Sequence, residues 1–291
     1  MSLPLYPEFK PVGLEDKPVF DEWLERDPSP VCELSFANIF IWRTSEHPRW
    51  TVVDGSLCVL VEPDFEPPYF LPPMGGERVP EAIATCLKRA PRLSRVPEDF
   101  VRRYGDGFRV EEDPANFDYL YLVQDLVELK GKRYDGKRNR IRKFESTFAH
   151  EYHPLSRADV AGCLRLLEDW FEEKGNEDPY LRGQRLAIVE ALEAFEALGL
   201  RGGVVKVGGR VEAFSLGGPL TADTAFIPIE IANPGLVGLA QWINREFVRR
   251  EWSEYRLVNR EQDRGVEGLR RAKLSYQPAG LVKKSNLFPA V

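Results

Sequence analysis

At 291 residues the chain is long enough for two ordinary domains with real cores, and its 43% hydrophobic and 30% charged residues are those of a globular protein in water. A formal net charge of −6 excludes a generic polyanion binder, so any contact with nucleic acid needs a local basic patch. Cys32, Cys58, Cys86 and Cys163 lack C-x-x-C spacing and read as reduced thiols. With no leader-like start and no apolar run near the ~20 residues of a membrane span, a cytoplasmic location is expected.

Helical candidates at 16–26 and 35–43 come first. WTVVDGSLCVLVE then reads as a hairpin turned at Asp54-Gly55, a pair favoured in type I′ turns, between alternating β-rich flanks. PDFEPPYFLPPMGG reads as loop. VPEAIATCLKRA resumes a helix with Pro80 in its first turn, and PEDFVRRYG is a short helix stopped by Gly105. FRVEED and NFDYLYLVQDLVEL read as strands. His150 and His153 fall in an expected inter-domain loop, without metal-ligand spacing.

The second half opens at Ser156 with a capping-box variant, S-R-A-D, ahead of the helical spacing of Val160, Cys163, Leu164, Leu167, Trp170 and Phe171. A second helix carries Leu186, Val189, Leu192, Phe195 and Leu198 on one stripe and ends at Gly199. GGVVKVGGRVEAFSLGG is a hairpin turned at Gly208-Gly209. TAFIPIEIA is a strand, PGLVGLAQWINREFVRR a helix and EYRLVNR a strand. Residues 258–278 give a loop and a helix, and AGLVKK a last strand. Each half thus runs two helices, a hairpin and mixed elements. The expected fold is α/β (α+β), a duplicated unit divided as 1–148 and 149–291. Chance recurrence of helices and hairpins produces the same pattern.

Two segments carry charge where it is informative. Eight of the fourteen positions from Lys130 to Lys143 are Lys or Arg, against one acid, Asp135. Phosphates are the natural partners of such a bridge, because neutralising them releases counterions. A solvated linker helix has the same composition. In the helix after Asp263, taking Val266 as zero places Leu269 at about 300° and Lys273 at about 340°. An ammonium on a core-facing stripe needs an anion, and Asp263, Glu261 and Glu230 are internal candidates. A ligand, or charge that develops in a reaction, is the alternative.

No G-x-S-x-G elbow, metal-ligand spacing, P-loop or dinucleotide fingerprint occurs. Direct acyl transfer between a bound donor and an amine survives. It needs positioning, a proton acceptor and positive or N–H groups facing the developing oxyanion.

SFANIFIWR (35–43), LKGKRYDGKRNRIRKF (129–144) and VNREQDRGVEGLRRAKLSYQP (258–278) resemble the bacterial proteins related to the C-terminal catalytic domain of phosphatidylglycerol lysyltransferases. The resemblance covers essentially the whole chain. It implies two tandem GNAT-like domains, as in the Fem aminoacyltransferases, with mixed sheets flanked by helices. It also implies aminoacyl transfer from charged tRNA to an amine or hydroxyl, with no metal and no covalently bound cofactor. Gly268, Leu269 and Lys273 match the Fem Gly-Leu-x-x-Phe-Lys segment, with Ala272 in place of the aromatic, and the lysine is implied to stabilise charge at the aminoacyl ester. Asn259, Arg260, Glu261 and Asp263 match the family's N-x-E-Q-D, with Asp263 fitting either a proton acceptor or a helix cap. Lys273, Asp263 and Asn259 are therefore the candidate catalytic residues. Arg138, Asn139 and Lys143 are implied to face a phosphate-rich donor, a tRNA docked on the bridge. Glu230, Arg260, Glu261, Arg270 and Tyr276 complete the expected substrate-binding set.

In GNAT acetyltransferases a Gln/Arg-x-x-Gly-x-Gly/Ala helix start holds the coenzyme A pyrophosphate. Gly235, Gly238 and Ala240 occupy that position here, with Gly235 departing from Gln or Arg. Acyl-coenzyme A is therefore the alternative co-substrate to aminoacyl-tRNA, and close helix–strand packing is another use for these small residues. The expected acceptor is a small molecule, peptide or lipid headgroup. Lysyltransferases that act on lipids carry a large transmembrane domain that this sequence lacks, which argues against a membrane lipid. A non-catalytic protein that binds an anionic metabolite or peptide is the remaining alternative.

Overall fold

The computed structural model describes residues 3–64, 66–174 and 178–290, which leaves Phe65 of the proline-rich run outside the described residues. Met1–Asp118, Gln262–Glu267 and Leu281–Val291 form one compact unit, and Tyr119–Glu261 with Gly268–Gly280 form a second.

The first unit begins with β1 (Lys10–Pro11), α1 (Lys17–Arg26), α2 (Phe36–Ile41) and α3 (Arg43–Glu46). Ser35 caps α2 by accepting from the Asn38 amide at 3.2 Å. β2 (Arg49–Val53) and β3 (Ser56–Val61) form the expected hairpin, with φ of +49° at Asp54 and +79° at Gly55. The run expected to be loop yields β4 (Tyr69–Phe70), because Leu60 and Val61 of β3 pair with Phe70 and Tyr69. Then follow α4 (Val79–Cys86), β5 (Leu93–Pro97), α5 (Glu98–Tyr104) and β6 (Phe108–Glu112).

β7 (Asp118–Leu122) is shorter than expected, because α6 (Val123–Glu128) takes over the second half of that apolar run. Val123 and Leu126 are the buried positions there, a helical rather than alternating spacing. The basic segment is α7 (Asp135–Thr147), and the expected histidine loop is a strand, β8 (His150–Pro154). α8 (Val160–Lys174) follows the Ser156/Asp159 capping box, and α9 (Pro179–Leu198) ends at Gly199 with φ +72°. β9 (Arg201–Val207), β10 (Arg210–Pro219), β11 (Thr224–Ala232), α10 (Leu239–Glu251), β12 (Leu257–Asn259), α11 (Glu267–Leu274), β13 (Gly280–Val282) and β14 (Lys284–Pro289) complete the chain.

The two seven-stranded sheets run β1-β2-β3-β4-β5-β14-β6 and β13-β7-β12-β11-β10-β9-β8. Each has an antiparallel meander that ends in one parallel pair, β4 with β5 and β11 with β12. The strands beside those pairs are exchanged. β14, read last, pairs with β5 and β6, whereas β7, read at the end of the first repeat, pairs with β12. This exchange is why the first division falls at 118/119 rather than at 148/149, and why α7 belongs to the second unit. Tyr134, Ile141 and Phe144 sit in that unit's core with Leu239, Ile243, Phe247 and Trp252.

One glycine sets how α7 meets α10. Gly238 is buried with φ +97°, and a Cβ there would stand 2.1 Å from the Arg140 carbonyl oxygen. Gly238→Ala therefore combines left-handed backbone strain with a backbone collision. It is expected to cost about 3 kcal/mol in urea unfolding.

Candidate functional site

β12 delivers Arg260 to a largely buried position in the second unit, where its Nη2 lies 3.1 Å from Glu230 Oε1 on neighbouring β11. Asn244 of α10 donates to the other Glu230 oxygen at 2.9 Å. The guanidinium carbon lies 5.0 Å from the Tyr276 ring centroid and 5.7 Å from that of Tyr121. Burial works against the Arg260 charge, and Glu230 outweighs it, so the group stays protonated.

The chain then kinks. Glu261 adopts φ +56°, and its amide donates to Asn259 Oδ1 at 2.7 Å. The kink presents two successive carbonyls, of Arg260 and Glu261, to the Lys273 ammonium, the second at 3.2 Å. The Tyr119 ring centroid lies 5.7 Å from the same nitrogen. The turn after Lys273 is pinned from below. Tyr121 donates its hydroxyl to the Lys273 carbonyl at 2.9 Å, and Tyr134 donates to the Tyr276 carbonyl at 3.0 Å.

The reason given for Lys273 from periodicity needs correction. α11 buries none of its side chains, and Val266 and Leu269 are 56% and 41% exposed, so no core-facing stripe exists there. Two backbone carbonyl oxygens meet the ammonium. Helical spacing points instead to Lys137, which sequence reasoning passed over. It shares the 134, 137, 141, 144 stripe of α7 with buried Tyr134, Ile141 and Phe144. Its Nζ donates to Ser275 Oγ at 2.8 Å and lies 3.6 Å from the Tyr276 ring centroid. Burial, with the positive charges of Arg260 and Arg140, brings its pKa down to about 8.

Thus Lys273, Asn259, Arg260, Glu261, Glu230 and Tyr276 converge, joined by Lys137, Tyr121 and Asn244. Other expected residues serve elsewhere. Arg138 donates to the carbonyls that end α6, those of Leu129 and, at 2.9 Å, Gly131, and it pairs with Asp135. Asn139 accepts from Arg142 at 2.5 Å, and Lys143 is exposed. Arg270 is half-buried on α11. Asp263, in the first unit, accepts the Gly265 amide at 2.7 Å just ahead of α11, the local geometry of a cap. The Gly235 amide donates to Asn233 Oδ1 at 2.8 Å, Gly238 receives the α7 backbone, and Ala240 is exposed. Two of these three small residues thus have packing or turn roles.

The first unit holds its own charged cluster. Cys32, Glu33 and Asp118 have ligand atoms within 4.8 Å of one another, but the buried Lys284 ammonium stands among them, 2.6 Å from Asp118 and also paired with Glu33. The cation at this place belongs to the chain. Arg95, buried at φ +61°, lies 2.7 Å from Glu66, 3.4 Å from Glu33 and 3.6 Å from Asp113. Burial pushes Glu46 nearby up to about 7, with Glu66 and Glu33 adding to it and Arg95 opposing.

A protein-family model described as "Phosphatidylglycerol lysyltransferase, C-terminal" matches residues 27–287. The chain belongs to that family. It is 30% identical to a conserved protein of unknown function from Bacteroides thetaiotaomicron, over 99% of this chain and 100% of that one, with a TM-score of 0.88. L-PGS from Bacillus licheniformis matches at 16% identity, over 94% and 91% of the two chains, with a TM-score of 0.67. FemX matches at 10% identity, over 97% of each chain, with a TM-score of 0.58. Among curated proteins none is detectably similar in sequence. The fold is therefore the tandem GNAT-like pair that the motifs implied, and the family relates the chain to acyltransferases. Among the described residues no helix is long and apolar enough to cross a membrane.

Lys137 can be read directly. Between pH about 8 and 10.5 the unfolded chain keeps a proton on this amine that the folded chain has released, so its contribution to stability rises with pH across that window. Acylation of Lys137 by an amine-reactive probe, followed by peptide mass spectrometry, is expected to show a midpoint of about 8. A midpoint at the ordinary lysine value would remove the electrostatic description of this site.

Proposed function

We propose that this family member transfers an aminoacyl group from aminoacyl-tRNA to an amine or hydroxyl acceptor, using the Arg260 cluster of the second unit. The observation that supports this most is the convergence of two cations, Lys273 and Arg260, with the readily deprotonated Lys137 amine, from separate segments, around the 259–261 kink and the 273–276 turn. Such a place favours developing negative charge. Lys137, in its neutral form at mildly alkaline pH, takes the proton as the acceptor nitrogen or oxygen bonds to the ester carbonyl carbon. The carbon–oxygen bond to the tRNA ribose then breaks, and the departing oxygen is reprotonated. Lys273 stabilises the oxyanion in between, Arg260 holds an anionic part of donor or acceptor, and Asn259 positions the kink. The reading has no role for a bound metal or covalent cofactor, and it places the reaction in the cytoplasm.

The donor assignment has separate support. Lys132, Arg140, Arg142 and Lys143 are exposed, and among the described residues none has a carboxylate within salt-bridge distance, whereas Lys130, Arg133 and Arg138 pair with Glu128, Asp125 and Asp135. Half of the basic segment is therefore uncompensated and open to phosphate. The acyl-coenzyme A reading is less well supported, because Gly238 receives the Arg140 carbonyl where a pyrophosphate would need access.

Lys273→Met keeps length and apolarity. It is expected to lower transfer from a panel of aminoacyl-tRNAs about 100-fold while unfolding as the wild type does. Wild-type rates in the variant would remove Lys273 from the reaction. Replacing Arg142 and Lys143 with Gln is expected to flatten the plot of log affinity for tRNA against log salt by about 1.5. An unchanged slope would take α7 out of the docking surface.

A further inference from the structure

A cavity of about 480 Å³ opens in the second unit beside α10, away from the Arg260 cluster. Its wall is built from Trp242, Arg245, Glu246, Arg249 and Arg250 of α10, and Glu145 of α7, His150 of β8 and Val127 of α6 complete the lining. The cavity is a shallow depression, open to solvent over much of its extent.

The arginines are held from behind. Glu246 is 4% exposed, and its carboxylate takes Arg245 Nε at 3.1 Å, Arg249 Nε at 3.0 Å and Arg250 Nε at 3.4 Å. Burial opposes its charge, and the three guanidiniums outweigh that, so Glu246 stays ionised. Arg249 also gives Nη2 to Glu246, and Arg245 gives Nη2 to Glu145 at 2.7 Å. Among the described residues these bonds leave Nη1 of Arg245, Nη1 of Arg249 and both Nη groups of Arg250 without a protein hydrogen-bond partner. The Arg249 and Arg250 side chains are 49% and 45% exposed. A second set of contacts fixes the aromatic side. Trp242 Nε1 donates to Glu145 at 3.0 Å, and the His150 ring stands edge-on to Trp242 with centroids 4.6 Å apart. His150 Nδ1 lies 2.8 Å from the Phe148 carbonyl oxygen, so that nitrogen is the donor.

Glu246 would be satisfied by one or two of the arginines. Arg245 also pairs with Glu145, and the Arg250 guanidinium carbon lies 4.7 Å from the Tyr152 ring centroid, yet donors of Arg249 and Arg250 are left over. Three planar cations, fixed at one edge with donors left over at the other, form a receptor for a tetrahedral oxyanion. The geometry points to this cavity as a binding site for a phosphate-bearing ligand, with the Arg249 and Arg250 guanidiniums on the phosphate and the Trp242–His150 wall beside the group that carries it. This site is independent of the transfer reaction proposed for the Arg260 cluster.

Calorimetric titration of the full chain at low ionic strength, with pyrophosphate, a nucleoside 5′-monophosphate and a short RNA duplex, tests the site. Saturable one-to-one binding is expected, weakened at least tenfold in the Arg249→Ala/Arg250→Ala variant. Arg256→Ala serves as a control, because it removes an exposed guanidinium paired with Asp223 elsewhere in the unit. A mononucleotide that binds tighter than pyrophosphate would place a free nucleotide in the cavity. An RNA duplex that binds tightest, with the same loss in the double variant, would place a nucleic-acid backbone there. Absence of saturable binding in the wild type, or an equal loss in Arg256→Ala, would overturn the proposal. Thermal unfolding of the double variant separates lost binding from lost folding.

Discussion

A guanidinium withdrawn from water at the end of β12 has to be answered by a carboxylate, and Glu230 on the neighbouring strand is placed to do so. Much of the second unit's site follows from that pair. With Glu230 neutralising one side of Arg260, the rings of Tyr121 and Tyr276 can close over the other. The positive charge that remains makes a second cation beside it costly, and this is part of why the Lys137 amine gives up its proton so readily. Lys273 rests on carbonyl oxygens, including that of Arg260 itself. Removing Glu230 would leave an unanswered buried charge, a change worth about 3–5 kcal/mol.

The first unit solves a related problem with more partners. Arg95 sits in a left-handed conformation that a side-chain-bearing residue adopts at some cost, and it is surrounded by Glu66, Glu33 and Asp113. Lys284 closes the other end of the cluster against Glu33 and Asp118. The two units thus share a sheet plan but not a charge plan. One gathers acids around buried cations, and the other sets several basic groups about the Arg260–Glu230 pair.

How much of this could be read from sequence depended on whether the signal was local. The Asp54-Gly55 and Gly208-Gly209 turns, the Ser156 capping box and the Gly199 stop are settled by backbone chemistry within a few residues, and each stands where it was expected. β4, β8 and the α6 half of an apolar run were missed because their partners lie far along the chain or because a short run fits either period. In the site, motif matching located Lys273, Asn259, Arg260 and Glu261, while the helical-wheel argument attached to Lys273 described a stripe that the structure leaves in solvent. The same wheel applied to α7 would have singled out Lys137. It was hidden among seven other basic residues, where composition drowned position. Gly238 was read as either a phosphate contact or a place of close packing, since small size alone does not say what approaches, and its neighbour is a helix backbone.

The exchanged strands have a consequence for how the molecule is made. While the polypeptide is being synthesised, β5 and β6 exist long before β14, so the first sheet carries an unfilled slot through most of translation. Asp118 and Glu33 wait equally long for Lys284, which pairs with both. An open pair of strand edges invites the wrong guest. The nascent chain therefore has to be shielded, or held loose, until residues 284–289 have left the ribosome. The two halves of this gene are then not separable modules: a break in the middle would leave each fragment holding the strand that the other one needs.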